Sequence, residues 1–278
     1  MPWAPELFSA PVLQRLQDKW DHELVTVPFF DGLMTGEVDA LVGSFAGEPE
    51  LHHPVRGRIK GVGAFVAFVE ETRDWLAGLG VVIEDGDHVI RAGQRACGEV
   101  VLHVDGESGR VGIPVAIVAD RQSNGLIGEL RMYFSGWSLT GNHANRPPVM
   151  QRDPELSASA VLAEHQQALS FGDVDAIVAT FERDGYVREP AGPEYVHRGP
   201  AGLRDFYERL FASGGGIGIE QCSLIEDDRA CALEYNLVRW GNTELSPEAG
   251  VAVYVRGESG KIAAARIYDD VTPPPAQR

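Results

Sequence analysis

Few side chains in this sequence stand where they could move a proton, and their company differs. His165 falls among Ala158, Val161, Leu162, Ala168 and Leu169, which recur at helical spacing, so an imidazole interrupts an otherwise apolar stripe. A neutral ring there could donate a hydrogen bond or shuttle a proton. The plainer alternative is a core histidine satisfied by a backbone carbonyl. Glu189 directly precedes Pro190, and His53 directly precedes Pro54. Both residue types exchange protons near neutrality once their surroundings tune them, because burial raises a carboxylate and histidine is already poised. Each could equally be a polar strand end in solvent. Arg131 and Arg239 could be buried partners of carboxylates or surface charges.

Several other chemistries lack their signatures. There is no GxxxxGK[ST] phosphate loop, no GxGxxG after a strand and no GxSxG elbow. Gly61-Val62-Gly63-Ala64 reads as a helix start. No His/Cys/Asp spacing suggests a metal site, so neither metal nor cofactor is expected. Three cysteines without a CxxC pair suggest a reducing compartment. The net charge of -17 disfavours nucleic acid and anionic membrane surfaces as partners. No apolar run has the length of a membrane span, and the N-terminal residues lack the basic start and apolar core of a signal peptide. A cytoplasmic protein is therefore expected.

The elements that position the candidates come in two copies. Gly36-Glu37-Val38-Asp39-Ala40-Leu41 recurs as Gly172-Asp173-Val174-Asp175-Ala176-Ile177, 136 residues on. Phe45 and Pro54 meet Phe181 and Pro190 at that same offset. Arg95-Ala96-Cys97 meets Arg229-Ala230-Cys231, and Arg131-Met132-Tyr133 meets Arg266-Ile267-Tyr268. Such collinear blocks, drifting by a few residues, indicate duplication of a whole domain. The seam lies near the polar Gly141–Pro148 stretch, whose two prolines cannot continue a helix or strand. It divides the chain into domains 1–145 and 146–278.

In the second copy, Gly172 ends the His165 helix as a left-handed cap. Asp173 caps a short helix carrying Val174, Ile177, Val178 and Phe181. Tyr186 to Glu189 reads as a strand stopped by Pro190, and Leu203, Phe206, Tyr207, Leu210 and Phe211 as a third helix. Beyond Gly214-Gly215-Gly216, strands are expected over 217–225, 229–240, 251–256 and 262–271, with a hairpin turn at Gly257–Gly260. The first copy repeats this order, with its first helix kinked or restarted at Pro28. Helices first and antiparallel strands afterwards is an α+β signature.

This order, with Ala168–Phe181, Arg188-Glu189-Pro190, Arg198–Tyr207 and Arg266–Asp270, resembles the nuclear transport factor 2-like (NTF2-like) superfamily. Its most similar members are the ketosteroid isomerases and the SnoaL-like polyketide cyclases. The resemblance implies two tandem cone-shaped α+β domains, each a curved antiparallel sheet wrapped around helices with an apolar cavity at the open end. It further implies a small apolar ligand, and an internal pseudo-dimer that leaves a monomer or a homodimer. The isomerases' general base, an acid before a proline, maps onto Glu189 and, in the first copy, His53. Their oxyanion tyrosine maps onto His165 and Phe29, and their second donor onto Ala252 and Ile117, neither of which can donate. SnoaL-like cyclases draw on His and Asp from the cavity walls. By alternation from Arg266, Ile267 and Asp269 face inward and Asp270 faces solvent; the counterpart of Asp269 is the inert Phe134.

Glu189, His165 and Asp269 are therefore the expected catalytic groups. Tyr254, Ala252, Ile267, Phe206, His53, Phe29 and Phe134 are the expected substrate-binding residues, with Tyr235 and Trp240 as further candidate walls. The expected function is cofactor-independent isomerisation or cyclisation of a small apolar carbonyl compound. The alternatives are a non-catalytic ligand-binding or assembly module, and an epoxide hydrolase or epoxide-opening cyclase, which needs an arginine beside its carboxylates.

Overall fold

Residues 37–80, 82–106 and 109–273 are described by a computed structural model of the chain. They form two units, parted between Phe134 and Ser135. In the first, α1 (Val38–Val42) is followed by β1 (Glu50–His53), β2 (Gly57–Lys60), α2 (Val62–Gly78), β3 (Val82–Ala92), β4 (Arg95–Gly106), β5 (Gly109–Arg121) and β6 (Ile127–Tyr133). In the second, α3 (Trp137–Thr140), α4 (Ala160–Phe171), α5 (Val174–Ala179), β7 (Phe181–Arg188), β8 (Val196–Arg198), α6 (Gly199–Leu210), β9 (Gly216–Glu226), β10 (Ala230–Gly241), β11 (Thr243–Arg256) and β12 (Ile262–Tyr268) follow in turn.

Both sheets have the same strand order, β2-β1-β6-β5-β4-β3 and β8-β7-β12-β11-β10-β9. In each, the first strand in chain order pairs parallel with the last, Leu51 opposite Leu130 and Val187 opposite Ala265, and the other pairs are antiparallel. The sheets are thus mixed, each containing one parallel pair. The α+β class and the two cone-type folds are as expected.

Local chemistry sets the second unit's elements. Gly172, at φ +70°, ends α4 in the left-handed region. A Cβ at Gly172 would collide with the Gly215 carbonyl, so α4 and the start of β9 meet backbone to backbone. The Asp173 carboxylate accepts from the Ala176 amide at 3.0 Å and caps α5. Phe181 belongs to β7 instead of α5 and is buried. β11 begins at Thr243, eight residues before the expected start.

One core packs Leu41, Phe45, Phe65 and Phe68 against the first sheet. The other packs Leu162, Ile177, Phe181, Leu203 and Tyr207 against the inner residues of the second. No helix among the described residues is long and apolar enough to cross a membrane.

Candidate functional site

The second unit holds an open cavity of about 550 Å³, within the usual range for small-molecule pockets. α4 supplies His165, Gln166 and Leu169; α6 supplies Phe206, Tyr207 and Leu210; and the inner face of the sheet supplies Tyr235, Leu237, Ala252, Tyr254, Ala265 and Ile267. Glu189, Pro190 and Tyr195 of the β7–β8 loop and Asp269 beyond β12 complete the wall, with Ser135, Trp137 and His143. All seven second-copy candidates (Glu189, His165, Asp269, Tyr254, Ala252, Ile267 and Phe206) therefore line one cavity, as do Tyr235 and Trp240. The three expected catalytic groups, Glu189, His165 and Asp269, do not hydrogen-bond to one another; each has a partner of its own.

His165 is buried, and its Nδ1 lies 2.9 Å from Thr180 Oγ1. The Thr180 hydroxyl has one proton and places it on the Ile177 carbonyl at 2.6 Å, so His165 Nδ1 must be the donor to Thr180. Nε2 then carries the lone pair in the neutral ring. Burial pushes this histidine down to about 3, which keeps it neutral. The ring can accept a hydrogen bond from a ligand. It cannot supply the expected hydrogen bond to an enolate oxygen.

That capacity belongs to Tyr254 instead. Its hydroxyl accepts from Gln166 Nε2 at 2.7 Å and has no acceptor for its own proton among the described residues. Burial raises this phenol, so it stays protonated, and the Gln166 contact polarises it as a donor.

Asp269 Oδ2 accepts from Tyr235 Oη at 2.7 Å. Burial raises its carboxyl to about 6, against the opposing pull of the Tyr235 hydrogen bond. Tyr235 reaches it past Gly250, its register partner on β11; a Cβ there would lie 2.7 Å from the Tyr235 hydroxyl. Glu189 follows the last residue of β7, and its Oε1 lies 2.6 Å from His197 Nε2. His197 stacks on Phe206 with ring centres 4.4 Å apart.

Two expectations change. Asp270, expected in solvent, is buried; it accepts from Ser135 Oγ at 2.5 Å and from the Ala144 amide at 2.8 Å. Its side of the chain is covered by residues 135–145, which alternation along β12 could not reveal. Arg239 is neither a carboxylate partner nor a free surface charge: its guanidinium donates to the carbonyls of Ser170, Gly216 and Gly241. Arg131 is buried and pairs with Asp120 at 2.7 Å and Glu129 at 2.9 Å.

In the first unit, His53 Nδ1 accepts from the amides of Val55 and Arg56, both at 3.2 Å, so this nitrogen holds the turn after β1. Its ring packs edge-on against Phe68 and Phe134. Phe29 lies outside the described residues. Ligand atoms of Glu50, His52 and Glu129 come within 4.8 Å of one another. Both carboxylates already pair with cations, Glu50 with Arg58 and Lys60 and Glu129 with Arg131, so the group reads as a charge network on the sheet.

Residues 162–265 match the family model described as a SnoaL-like domain. This part of the second unit is similar to SnoaL-like domains. The first unit repeats the strand order of the second. Solved structures similar to the chain include a candidate polyketide cyclase from Sinorhizobium meliloti (18% identity, TM-score 0.34, covering 40% of this chain and 94% of the other). Another is SalBIII, an epoxide hydrolase/cyclase-like enzyme in pyran ring formation in the polyether salinomycin (23%, 0.34, 41% and 90%). A third is a protein with a ketosteroid isomerase-like fold from Catenulispora acidiphila, in complex with trimethylamine (13%, 0.36, 42% and 90%). No curated protein matches the chain. Within the second unit, sequence reasoning missed Gln166 and Tyr207 as cavity walls, because both sit on helix faces that read equally as core or surface.

Proposed function

We propose that the second unit is a cofactor-independent isomerase or cyclase that transfers a proton on a small, largely apolar carbonyl compound. One observation carries this reading: the same apolar cavity holds a carboxyl raised to about 6 and a phenol whose proton is uncommitted. A carboxyl in that range is ionised enough at neutral pH to take a proton and basic enough to hold it. Asp269 removes an acidic proton α to the carbonyl, and the C–H electron pair moves onto the oxygen. Tyr254 donates to that oxygen as the charge develops. Collapse of the enolate takes a proton back at another carbon, or forms a bond to a second electrophilic carbon. His165 Nε2 accepts from a substrate hydroxyl, and the Glu189–His197 pair offers a second acid/base group on another wall.

The test is hydrogen–deuterium exchange at the α-carbons of 2-tetralone, a small apolar ketone, followed by NMR. The protein should accelerate exchange above buffer. Asp269→Asn should slow it roughly 10²–10⁴-fold and Tyr254→Phe roughly 10²–10³-fold, with melting temperatures showing both variants folded. Full exchange in folded Asp269→Asn would sink the proposal.

A second reading, a binding module without catalysis, is favoured by the separate partners of His165, Glu189 and Asp269. Binding of 2-naphthol, an enolate mimic, without any exchange of 2-tetralone would select it. The epoxide-opening reading has less support, since no arginine is among the described residues lining the cavity.

A further inference from the structure

Residues 135–145 precede the matched SnoaL-like segment and contribute Ser135, Trp137 and His143 to its cavity. Asp270 fixes this segment. Its Oδ1 accepts from Ser135 Oγ at 2.5 Å and lies 3.0 Å from His143 Nδ1, while Oδ2 faces the amides of Ala144 at 2.8 Å and Gly136 at 3.4 Å. Ser135 Oγ itself accepts from the Trp137 amide, so its proton goes to Asp270. A carboxylate ringed by donors has nothing to give, so His143 Nδ1 must carry the proton of that contact. Nε2 is thereby the lone-pair nitrogen of the neutral ring. It has no partner among the described residues, and the ring lines the cavity. Trp137 stacks on the ring at 6.3 Å and 19°, which fixes its plane. The Asp270 side chain is 1% exposed and that of His143 23%: the orienting group is buried and the oriented one reaches the cavity. A carboxylate that sets the tautomer of an imidazole lining a ligand site, with the other ring nitrogen left without a partner among the described residues, is the arrangement of a proton-transfer histidine.

We propose that His143, oriented by Asp270, is a second proton-transfer group of this cavity, acting together with Asp269. The inference rests on the acid/base reading of the cavity given above. Asp269 takes the α-proton, and the electron pair moves into the substrate. Protonated His143 then gives its Nε2 proton to the substrate atom on which the negative charge settles. The proton held by Asp269 returns to the imidazole through solvent. One proton leaves the substrate and one enters, so both residues end as they began. His143 and Asp269 share a neighbourhood: the imidazole's positive charge is among the influences that lower the Asp269 carboxyl. Asp270 is a positioning residue in this scheme.

Two measurements on the full chain test it. In ¹⁵N spectra, neutral His143 should show the Nδ1–H tautomer, and Asp270→Asn should convert it to a mixture. His143→Gln should slow 2-tetralone exchange at least 10-fold while 2-naphthol affinity changes less than 3-fold, because the loss is of proton transfer and not of the wall. An Nε2–H tautomer in the wild type overturns the orientation. Undiminished exchange in His143→Gln, alongside a dead Asp269→Asn, overturns the role of His143 and leaves the cavity reading intact. A wild type that exchanges nothing removes the cavity reading and this inference with it.

Discussion

Burial and one neutral hydroxyl are the two largest influences on Asp269. Burial lifts its carboxyl and the Tyr235 hydroxyl partly restrains it. Tyr235 keeps that contact only because Gly250 has no side chain at the point where the phenol passes. Gly250→Ala should crowd the ring and cost Asp269 its hydrogen bond, and Tyr235→Phe should remove the bond without crowding. In both, the carboxyl should titrate higher, moving the acid limb of the exchange rate upward by about one pH unit, as expected for the loss of one hydrogen bond to the charged form. A pH–rate profile for each variant checks this, and an unmoved limb would mean that Tyr235 has no hold on the base. Asp269 was readable from strand alternation; its pKa was not, because the tyrosine that tunes it lies 34 residues away and the glycine that admits it looks like any other. Asp270 was misread for a related reason. Alternation says which face of a sheet a side chain leaves from, but not what later covers that face.

α4 shows which features of an element its sequence declares. The apolar spacing, Gly172 at its end and Asp173 capping the next helix all follow from local rules, and all hold. The first half of β11 declares nothing of the kind. Thr243–Gly250 contains Pro247 and scattered polar residues, so it reads as a loop. It is a strand because β10 pairs with it, while β12 takes up pairing only from Val251. Pro247 falls where the β10–β11 register shifts, between the Arg239–Glu244 and Leu237–Glu248 pairs, so its missing N–H costs the ladder little. His143 was hidden in the same way, inside a polar segment legible only as a linker. The seat of α4 is equally tertiary. A Cβ at Gly216 would meet the Leu169 carbonyl and the Gly172 amide, and Arg239 ties Ser170 at the helix end to Gly216 and Gly241. Gly216→Ala should therefore lift α4 from the sheet and shift His165 and Gln166 with it. A loss of roughly 2–4 kcal/mol is expected from urea unfolding, the size typical of backbone clashes in a packed site. A cost under about 0.5 kcal/mol would show that the junction yields.

For the molecule as a whole, His165 and Asp269 form an opposed pair of titrations. Burial depresses His165 from 6.5 to about 3 and raises Asp269 from 3.8 to about 6. The depressed histidine contributes stability that is complete above its unfolded value and lost as pH falls toward about 3. The raised aspartate contributes stability that is complete below its unfolded value and lost as pH rises through about 6. Between about pH 4 and 6, the unfolded chain holds this pair's one proton on the histidine and the folded chain holds it on the aspartate. Neither state gains a proton relative to the other, so the pair leaves the stability curve flat while hiding two steep contributions. Single substitutions should expose them. Relative to wild type, Asp269→Asn should gain stability as pH rises across that window, by up to about 1.4 kcal/mol per pH unit, because only the histidine's linkage remains. His165→Gln should lose stability with rising pH at a comparable slope. The 41 acidic residues and net charge of -17 bend every absolute curve, but they are common to wild type and variant and drop out of the difference. Urea midpoints measured from about pH 4 to 6 decide the matter. Opposite slopes in the two difference curves mean that burial in the cavity sets both groups, whereas parallel or flat curves mean that water reaches the site and the carboxyl at its wall is an ordinary one.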